Sequence, residues 1–407
     1  MKILAFSEHY YPIRGGNVSY VDNISRCLGR LGHRVTLVVP ASNGDTFPRS
    51  RSIRNVTIKS ISIPRALYNT RVGRRLFAFG ARKVMRQLMH QTSFDIIHVL
   101  YGHQIPSSIF QEAERSRVAT FWTVHNVPPT EYRSASPGRW SLGQRLYRRM
   151  AQVIHRRRIS RAACDRLICV SDQTRRHVLQ AGASPSRAVV IPIGVDTRKF
   201  RPLHKNAIAV FRRKQRWTDR AVLLTVGGFV PHKGQELVLK ALPELIAKFP
   251  DILYVCIGPI RDRAYFARLE QLVARQHLEG RVLFLSGVSD EDLVCYYSAC
   301  DTYIQPSLAE GFCLTALEAM ACGKHIIGTG AGEMRNYILR ANAGTIIGST
   351  ARAVCKGLMN NLEKPPRQEV KRLNRFVTRE YSWEATAKKT VKLYQTAAYN
   401  KYPPKLA

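Results

Sequence analysis

The chain has 407 residues, 45% of them hydrophobic, ample for two cores of ordinary domain size. Its 64 Lys+Arg against 28 Asp+Glu give a formal net charge of +36. That balance is silent on fold. It points either to polyanionic partners (nucleic acid, anionic lipid or an anionic glycan) or to an arginine-rich composition with no binding role. No run approaches the roughly 18 apolar residues of a spanning helix. The nine cysteines contain no Cys-x-x-Cys pair, which removes support for a zinc or thioredoxin-like reading and fits reduced, buried thiols in a cytosol.

In chain order, residues 2–6 predict a first strand, because His9, Tyr10, Tyr11, Pro12 and Gly15 break the apolar run too early for a signal peptide. Val21, Ile24, Leu28 and Leu31 then recur at helical spacing, Gly32 ends the helix, and residues 34–39 form the next strand. Gly15 and Gly16 sit in the first loop of this βαβ unit. Apolar runs at 95–99, 119–124, 166–170 and 188–191 predict further strands. Fully apolar strands separated by helical patterns belong to a parallel sheet covered on both faces. The polar, basic stretch 196–220 reads as a linker. The pattern then restarts with strands at 221–226, 252–257, 282–285, 302–304, 325–327 and 344–347, and a helix from near Gln235. Two doubly wound α/β domains are expected in tandem, with ligands at the carboxyl ends of their strands.

The densest chemical signal runs from Pro306 to Gly323. A strand ends near Ile304, a loop carries Glu310 and Gly311, and a helix runs from about Cys313 to Cys322 with Gly323 closing it. The free amides and positive dipole at that helix start suit a diphosphate. Glu310, projecting from the loop above that seat, and Glu318 in the helix can hold hydroxyls of one extended ligand, Glu310 those of the sugar and Glu318 those of the ribose. Taken as a lone pair, they would read as an acid complementing the dipole and a solvated mid-helix glutamate.

This run resembles the E-x7-E signature of the family-four retaining glycosyltransferases, which have the GT-B fold of two Rossmann-like domains facing a cleft. The segment from Val226 to Gly234 resembles the family's G-R-x-x-x-x-K-G loop, with Lys233 as the lysine on the donor diphosphate and Gly228 where the family has arginine. Either Lys233 and backbone amides suffice, or another cation such as Arg261 or Arg263 replaces the missing one. Thr123-Val124-His125-Asn126 resembles the active-site histidine position, and Gly15-Gly16 the family's glycine pair. Each also reads as plain structure: a core histidine or a tight turn. Ser171 resembles the family's Val-Ser before a helix and is expected as an N-cap. The loop from Gly328 to Asn336 resembles the family's phosphate-side loop, with Glu333 replacing a glycine.

The resemblance implies an acceptor domain over 1–195, a donor domain over 196–378, and a C-terminal helix within 379–407 that returns to the first domain. It implies His125, Lys233 and Glu310 as the catalytic set. Gly16, Gly228, Lys233, Glu310, Gly311, Phe312, Cys313, Leu314 and Glu318 would line the donor. It implies a UDP- or GDP-sugar donor, a lipid-linked or glycan acceptor, retention at the anomeric carbon, and no cofactor or metal. A GT-B sugar-nucleotide epimerase and a catalytically weak membrane- or polyanion-binding protein are the alternatives.

The charge is uneven. Residues 1–200 hold 33 basic and 10 acidic side chains, and residues 201–407 hold 31 and 18. Between Asp45 and Asp95 there are eleven basic residues and no acid; between Glu131 and Asp165 there are nine arginines and no acid. Leu67, Val72, Leu76, Phe77, Phe79, Val84 and Leu88 interleave with the first stretch at nearly helical spacing. Trp140, Leu142, Leu146, Tyr147, Met150, Val153 and Ile154 interleave with the second. Basic amphipathic segments suit an anionic membrane surface. No nucleic-acid motif accompanies them. The expected place is cytoplasmic, peripheral on the inner face of the membrane.

Overall fold

A computed structural model describes residues 1–11, 16–42, 54–68, 70–102, 105–114, 116, 118–125, 150, 153–154, 156–366 and 369–401. The chain separates into two compact units. Most of the first consists of residues up to 194 together with everything from Trp383 onward; most of the second is Val195–Ser382.

The first unit is built on a seven-stranded sheet in the order β3-β2-β1-β4-β5-β6-β7. Its strands are β1 (Lys2–Ser7), β2 (Arg34–Ser42), β3 (Val56–Ile63), β4 (Ile96–Tyr101), β5 (Ala119–Val124), β6 (Arg166–Cys169) and β7 (Ala188–Val190). Every pairing is parallel. β4 and β5 are buried along their whole length, which is why their runs are apolar without alternation. The strand order reverses between β1 and β4, and in sheets of this kind ligands are expected at the carboxyl ends of the strands flanking such a reversal. The edge strand β3 was not among the predicted strands. Its sequence Val-Thr-Ile-Lys-Ser-Ile-Ser-Ile alternates, because one face lies on the protein and the other meets solvent.

The helical spacing of the first basic stretch holds. A helix spans Arg71–Gln91, capped by Thr70, whose side chain accepts from the Gly73 amide at 3.1 Å. Phe77, Ala81 and Met85, four residues apart, bury one face in the core. Val72, Leu76 and Phe79 remain 53%, 43% and 75% exposed. In the second basic stretch, Trp140, Leu142, Leu146, Tyr147, Arg148 and Arg149 lie outside the described residues.

The helix Trp383–Lys401 packs within the first unit. The Thr386 hydroxyl donates to the Pro192 carbonyl at 3.0 Å, and Tyr394 is wholly buried with its hydroxyl 2.5 Å from His98 Nδ1. Gly194 has to be glycine, since a Cβ there would stand 2.7 Å from Trp383.

The second unit is a six-stranded parallel sheet in the order β10-β9-β8-β11-β12-β13. These strands are β8 (Ala221–Val226), β9 (Ile252–Ile257), β10 (Val282–Leu285), β11 (Thr302–Gln305), β12 (Ile326–Gly328) and β13 (Gly344–Ile346). Its order reverses between β8 and β11. The stretch 196–220 is not a bare linker. It contains a helix, Lys205–Lys214, whose Phe211 ring packs 5.1 Å from Tyr296 and 5.9 Å from Trp217. Arg212 of this helix donates to the carbonyls of Ala299, Trp217 and Arg220. Its charge obscured the element in the sequence, because the helix is held by one aromatic ring and by carbonyl capping rather than by an apolar stripe.

Candidate functional site

The two loops at the reversal of the second sheet are tied together. After β8, Gly234 adopts a left-handed φ of 72° and begins the helix Gln235–Lys248. A Cβ at Gly234 would stand 2.1 Å from the Pro306 carbonyl oxygen, so glycine permits the close approach of the loop after β11. The Leu308 amide donates to the His232 carbonyl at 2.7 Å. Buried Gln235 donates to the Gly228 carbonyl at 3.2 Å and accepts from the Tyr265 hydroxyl at 3.2 Å, holding the glycine loop in shape.

This arrangement brings Lys233 and Glu310 into contact. Lys233 Nζ lies 2.6 Å from Glu310 Oε1, and the two side chains are only 17% and 6% exposed. The same oxygen accepts from the Ser307 hydroxyl at 2.7 Å. Ser307 in turn accepts from Gln305 at 2.7 Å, and Gln305 from the Tyr303 and Thr315 hydroxyls. Burial alone would depress the Lys233 ammonium. The Glu310 carboxylate and the neighbouring Cys313 more than offset this, so its pKa stands above the usual lysine value. Sequence reasoning placed Glu310 projecting above a diphosphate seat. In the structure it is buried and paired, because Lys233 and Ser307 both reach it.

Cys313 occupies the N-cap of the helix Leu314–Ala321 with a left-handed φ of 67°. Its carbonyl accepts from the Tyr337 hydroxyl at 3.0 Å, and burial pushes its thiol up to about 12. Gly311 is buried, and the Phe312 ring packs toward Tyr337 and Tyr381. These two residues shape the turn through backbone and core packing. Glu318 is not a solvated mid-helix acid: it is 9% exposed and accepts from the Tyr297 hydroxyl at 2.8 Å. Burial raises its carboxyl to about 8 despite that hydrogen bond. Tyr297, Ser307, Gln305 and Gln235 were missed as site residues. The one signal for Gln305 and Ser307 is polarity at the end of an otherwise apolar strand.

Gly228 lies beside an arginine. A Cβ on Gly228 would stand 3.3 Å from Arg261 Cδ, so the Arg261 side chain covers the position from which a side chain at 228 would extend. Arg263 instead opens the helix Arg263–Arg275. Glu333 is buried, and its Oε2 accepts from the Asn336 amide at 3.2 Å. Among the described residues, no group of three or more His, Cys, Asp or Glu could hold a metal ion.

His125 and Gly16 belong to the first unit. Gly16 opens the helix Gly16–Arg30, and a Cβ there would meet nothing within 4 Å. Gly15 and Asn126 lie outside the described residues. His125 follows β5 and is 8% exposed. Its Nε2 lies 3.0 Å from the Leu100 carbonyl oxygen, so this nitrogen carries the proton and Nδ1 presents a lone pair. Burial lowers its pKa to about 4, keeping the ring neutral near pH 7. Tyr20 and Tyr101 pack edge-on against it, with centroids 4.6 and 5.4 Å away. A buried chain supports Tyr20: its hydroxyl lies 3.1 Å from Thr123 Oγ1, which lies 2.8 Å from His98 Nε2. The Ser171 side chain accepts from the Thr174 amide at 3.0 Å, as the N-cap expected there.

Residues 208–393 match the family model of the glycosyl transferases group 1, and residues 14–199 match that of glycosyltransferase family 4. The chain is similar to a phosphatidylinositol N-acetylglucosaminyltransferase component of Arabidopsis thaliana, 24% identical over 98% of this chain and 82% of that one. It is 28% identical to a D-inositol 3-phosphate glycosyltransferase of Geodermatophilus obscurus, over 85% of this chain and 78% of that one. The crystal structure of Anabaena HepE in complex with UDP superposes with a TM-score of 0.76 at 18% identity, covering 97% of this chain and 100% of that one.

The raised Glu318 pKa has a consequence for stability. A carboxyl at about 8 when folded and about 4.5 when unfolded binds its proton more tightly in the native state. Its contribution is therefore fully present below about pH 4.5 and lost as pH rises through about 8. In Glu318→Gln this loss is absent. The melting temperature of the wild type should fall relative to that of the variant between about pH 5 and about pH 9. Parallel melting curves across that range would contradict the assignment.

Proposed function

The chain belongs to the glycosyltransferases of group 1 and family 4, and on that footing we propose that it moves a hexosyl or N-acetylhexosaminyl unit from a UDP-sugar to a hydroxyl of a lipid-linked or glycan acceptor, with retention at the anomeric carbon. The observation that carries the reading is the Lys233–Glu310 contact at the strand reversal of the second sheet, where open α/β sheets bind ligands. UDP is favoured over GDP because the superposed HepE structure holds UDP. A phosphatidylinositol- or inositol phosphate-type acceptor agrees with the relatives' names.

In the proposed reaction, Lys233 shifts part of its interaction from Glu310 to the donor diphosphate. The first amides of the helix Leu314–Ala321 donate to the same group, and Arg261 supplies the second cation that Gly228 lacks. These groups provide the charge that a metal would otherwise contribute, so no metal is required in this reading. Glu310 holds hydroxyls of the transferred sugar, and Glu318 those of the ribose. In the first unit, neutral His125 presents its Nδ1 lone pair, which can accept a hydrogen bond from a ligand hydroxyl without carrying charge. The bond between the anomeric carbon and the diphosphate oxygen breaks, and a bond from that carbon to the acceptor oxygen forms. The acceptor proton passes to the departing diphosphate. This same-face route needs no protein nucleophile.

Replacing Glu310 by Gln tests the site. The variant keeps shape and hydrogen bonding but loses the charge. Turnover with UDP-sugar and acceptor, measured on the folded variant, should fall by about a hundredfold or more, the scale of a lost electrostatic contact in a transition state; the melting temperature should fall too, because Lys233 is left buried without its counter-charge. Near-normal turnover would remove Glu310 from the mechanism.

We further infer that the first unit docks on an anionic bilayer. On the helix Arg71–Gln91, Val72, Leu76 and Phe79 project at i, i+4 and i+7, beside exposed Arg75 and Lys83. Exposed Met150, Val153 and Ile154 add apolar surface from the second basic stretch. Apolar side chains interleaved with cations suit a bilayer interface, where each basic residue contributes about 1 kcal/mol. Co-sedimentation with vesicles containing phosphatidylglycerol should exceed that with neutral phosphatidylcholine vesicles and weaken with salt. The triple variant Val72→Ser, Leu76→Ser, Phe79→Ser should lose most of it. Equal binding to both vesicle types, or full binding by the variant, would reject this placement.

A further inference from the structure

Strand β11 ends in a polar network that its packing does not call for. Tyr303 and Gln305, two residues apart on one face of this strand, and Ser307 just beyond it are wholly buried. β11 lies between β8 and β12, where an apolar side chain would fill the same space without losing hydration. The hydrogen bonds of the network run in one direction. The Tyr303 hydroxyl, whose pKa burial raises well above the usual tyrosine value, stays protonated and donates to Gln305 Oε1 at 2.5 Å. Thr315, in the first turn of the helix Leu314–Ala321, donates to the same oxygen at 3.2 Å. With its carbonyl oxygen so occupied, the Gln305 amide turns its nitrogen to Ser307 and donates to Oγ at 2.7 Å.

That direction decides what happens at Glu310. A serine hydroxyl has a single proton to donate. Because Ser307 Oγ accepts from Gln305, its own proton goes to Glu310 Oε1, 2.7 Å away. Lys233 Nζ reaches the same oxygen at 2.6 Å. Among the described residues, both hydrogen bonds that the Glu310 carboxylate receives therefore fall on Oε1, and Oε2 takes none. Lys233 by itself would not make this choice, since an ammonium with rotatable donors on a flexible stem can follow either oxygen. The Ser307 hydroxyl can, because it stands at the end of a buried chain and its own carbonyl accepts from the Thr329 hydroxyl.

We propose that Gln305 is a positioning residue: by directing the Ser307 proton to Glu310 Oε1, it leaves Oε2 as the oxygen that accepts a hydroxyl of the transferred sugar. This rests on the glycosyltransferase reading and adds how its carboxylate is aimed. Lys233 keeps its counter-charge whether or not Gln305 is present, so the grip on the diphosphate does not depend on the network. The transferred sugar is the part of the donor that does.

Calorimetry on the full chain separates recognition of the sugar from that of the diphosphate. UDP is the probe without a transferred sugar. UDP-glucose, UDP-galactose and UDP-N-acetylglucosamine carry one, and the one that the wild type binds most tightly is taken forward. In Gln305→Met, which fills the space with an apolar chain of similar length, the affinity for that nucleotide-sugar relative to UDP should fall about fivefold or more, the scale of one misplaced hydrogen bond. UDP itself should keep its wild-type affinity. General damage to the second unit would weaken all the probes together, so a parallel loss overturns the inference, as does an unchanged ratio. Should Gln305→Met fail to fold, Ser307→Ala, which removes only the last hydroxyl, reads the same ratio. Wild-type binding of UDP with a ratio that the variants leave constant removes the role of Gln305 and leaves the glycosyltransferase reading standing. A wild type that binds none of the four probes sinks that reading and the inference with it.

Discussion

The ion pair between Lys233 and Glu310 is the constraint on which the second unit's site depends. Two nearly buried charges 2.6 Å apart are stable only because each is the other's counter-charge and because Ser307 shares the carboxylate. Removing either partner alone would strand a buried charge. The pair also has a geometric effect. It joins the loop after β8 to the loop after β11, and these loops flank the reversal point of the sheet. Gly234 permits the close approach, and the Leu308–His232 backbone hydrogen bond fixes its register. On the proposed reading, a donor diphosphate would meet a lysine already held in place, and its sugar a carboxylate already partly desolvated. Little reorganisation remains to be done at binding, which is where preorganised electrostatics gains its advantage.

The first unit solves a different problem with the same topology. At the carboxyl end of β5, next to the strands between which the order reverses, it holds neutral, buried His125. A neutral histidine can accept a hydrogen bond from a ligand hydroxyl at Nδ1 without adding charge. The buried chain Tyr20–Thr123–His98–Tyr394 links the histidine's surroundings to the helix Trp383–Lys401. The chain's last helix is thus part of the support for the first unit's candidate site.

Much of this was legible in the sequence, and the misses have physical causes. The central strands were readable because both faces are buried, so their residues are apolar without interruption. β3 was not, because an edge strand alternates and its polar half disguised it. The helix Lys205–Lys214 was hidden by its own charge, since the Phe211 ring and the Arg212 hydrogen bonds to carbonyls hold it without an apolar stripe. Lys233, Glu310, Glu318 and His125 were visible through a resemblance carried by short motifs. Their burial was not visible: the sequence suggested a projecting Glu310, and an isolated Glu318 would read as solvated. Spacing along one chain does not reveal that the Tyr297 hydroxyl donates to Glu318 or that the Ser307 hydroxyl donates to Glu310. The Gly228 departure from the family loop could be read, but only coordinates show the Arg261 side chain lying beside it.

The central claim is that the Lys233–Glu310 pair marks a nucleotide-diphosphate site. The most direct test is the affinity of UDP for the wild type and for Lys233→Met/Glu310→Gln, in which both charges are removed together so that neither is left buried alone. The account predicts a folded variant whose UDP dissociation constant rises by about tenfold or more, the scale of a lost charge-assisted contact. An unchanged dissociation constant in a folded variant would contradict it.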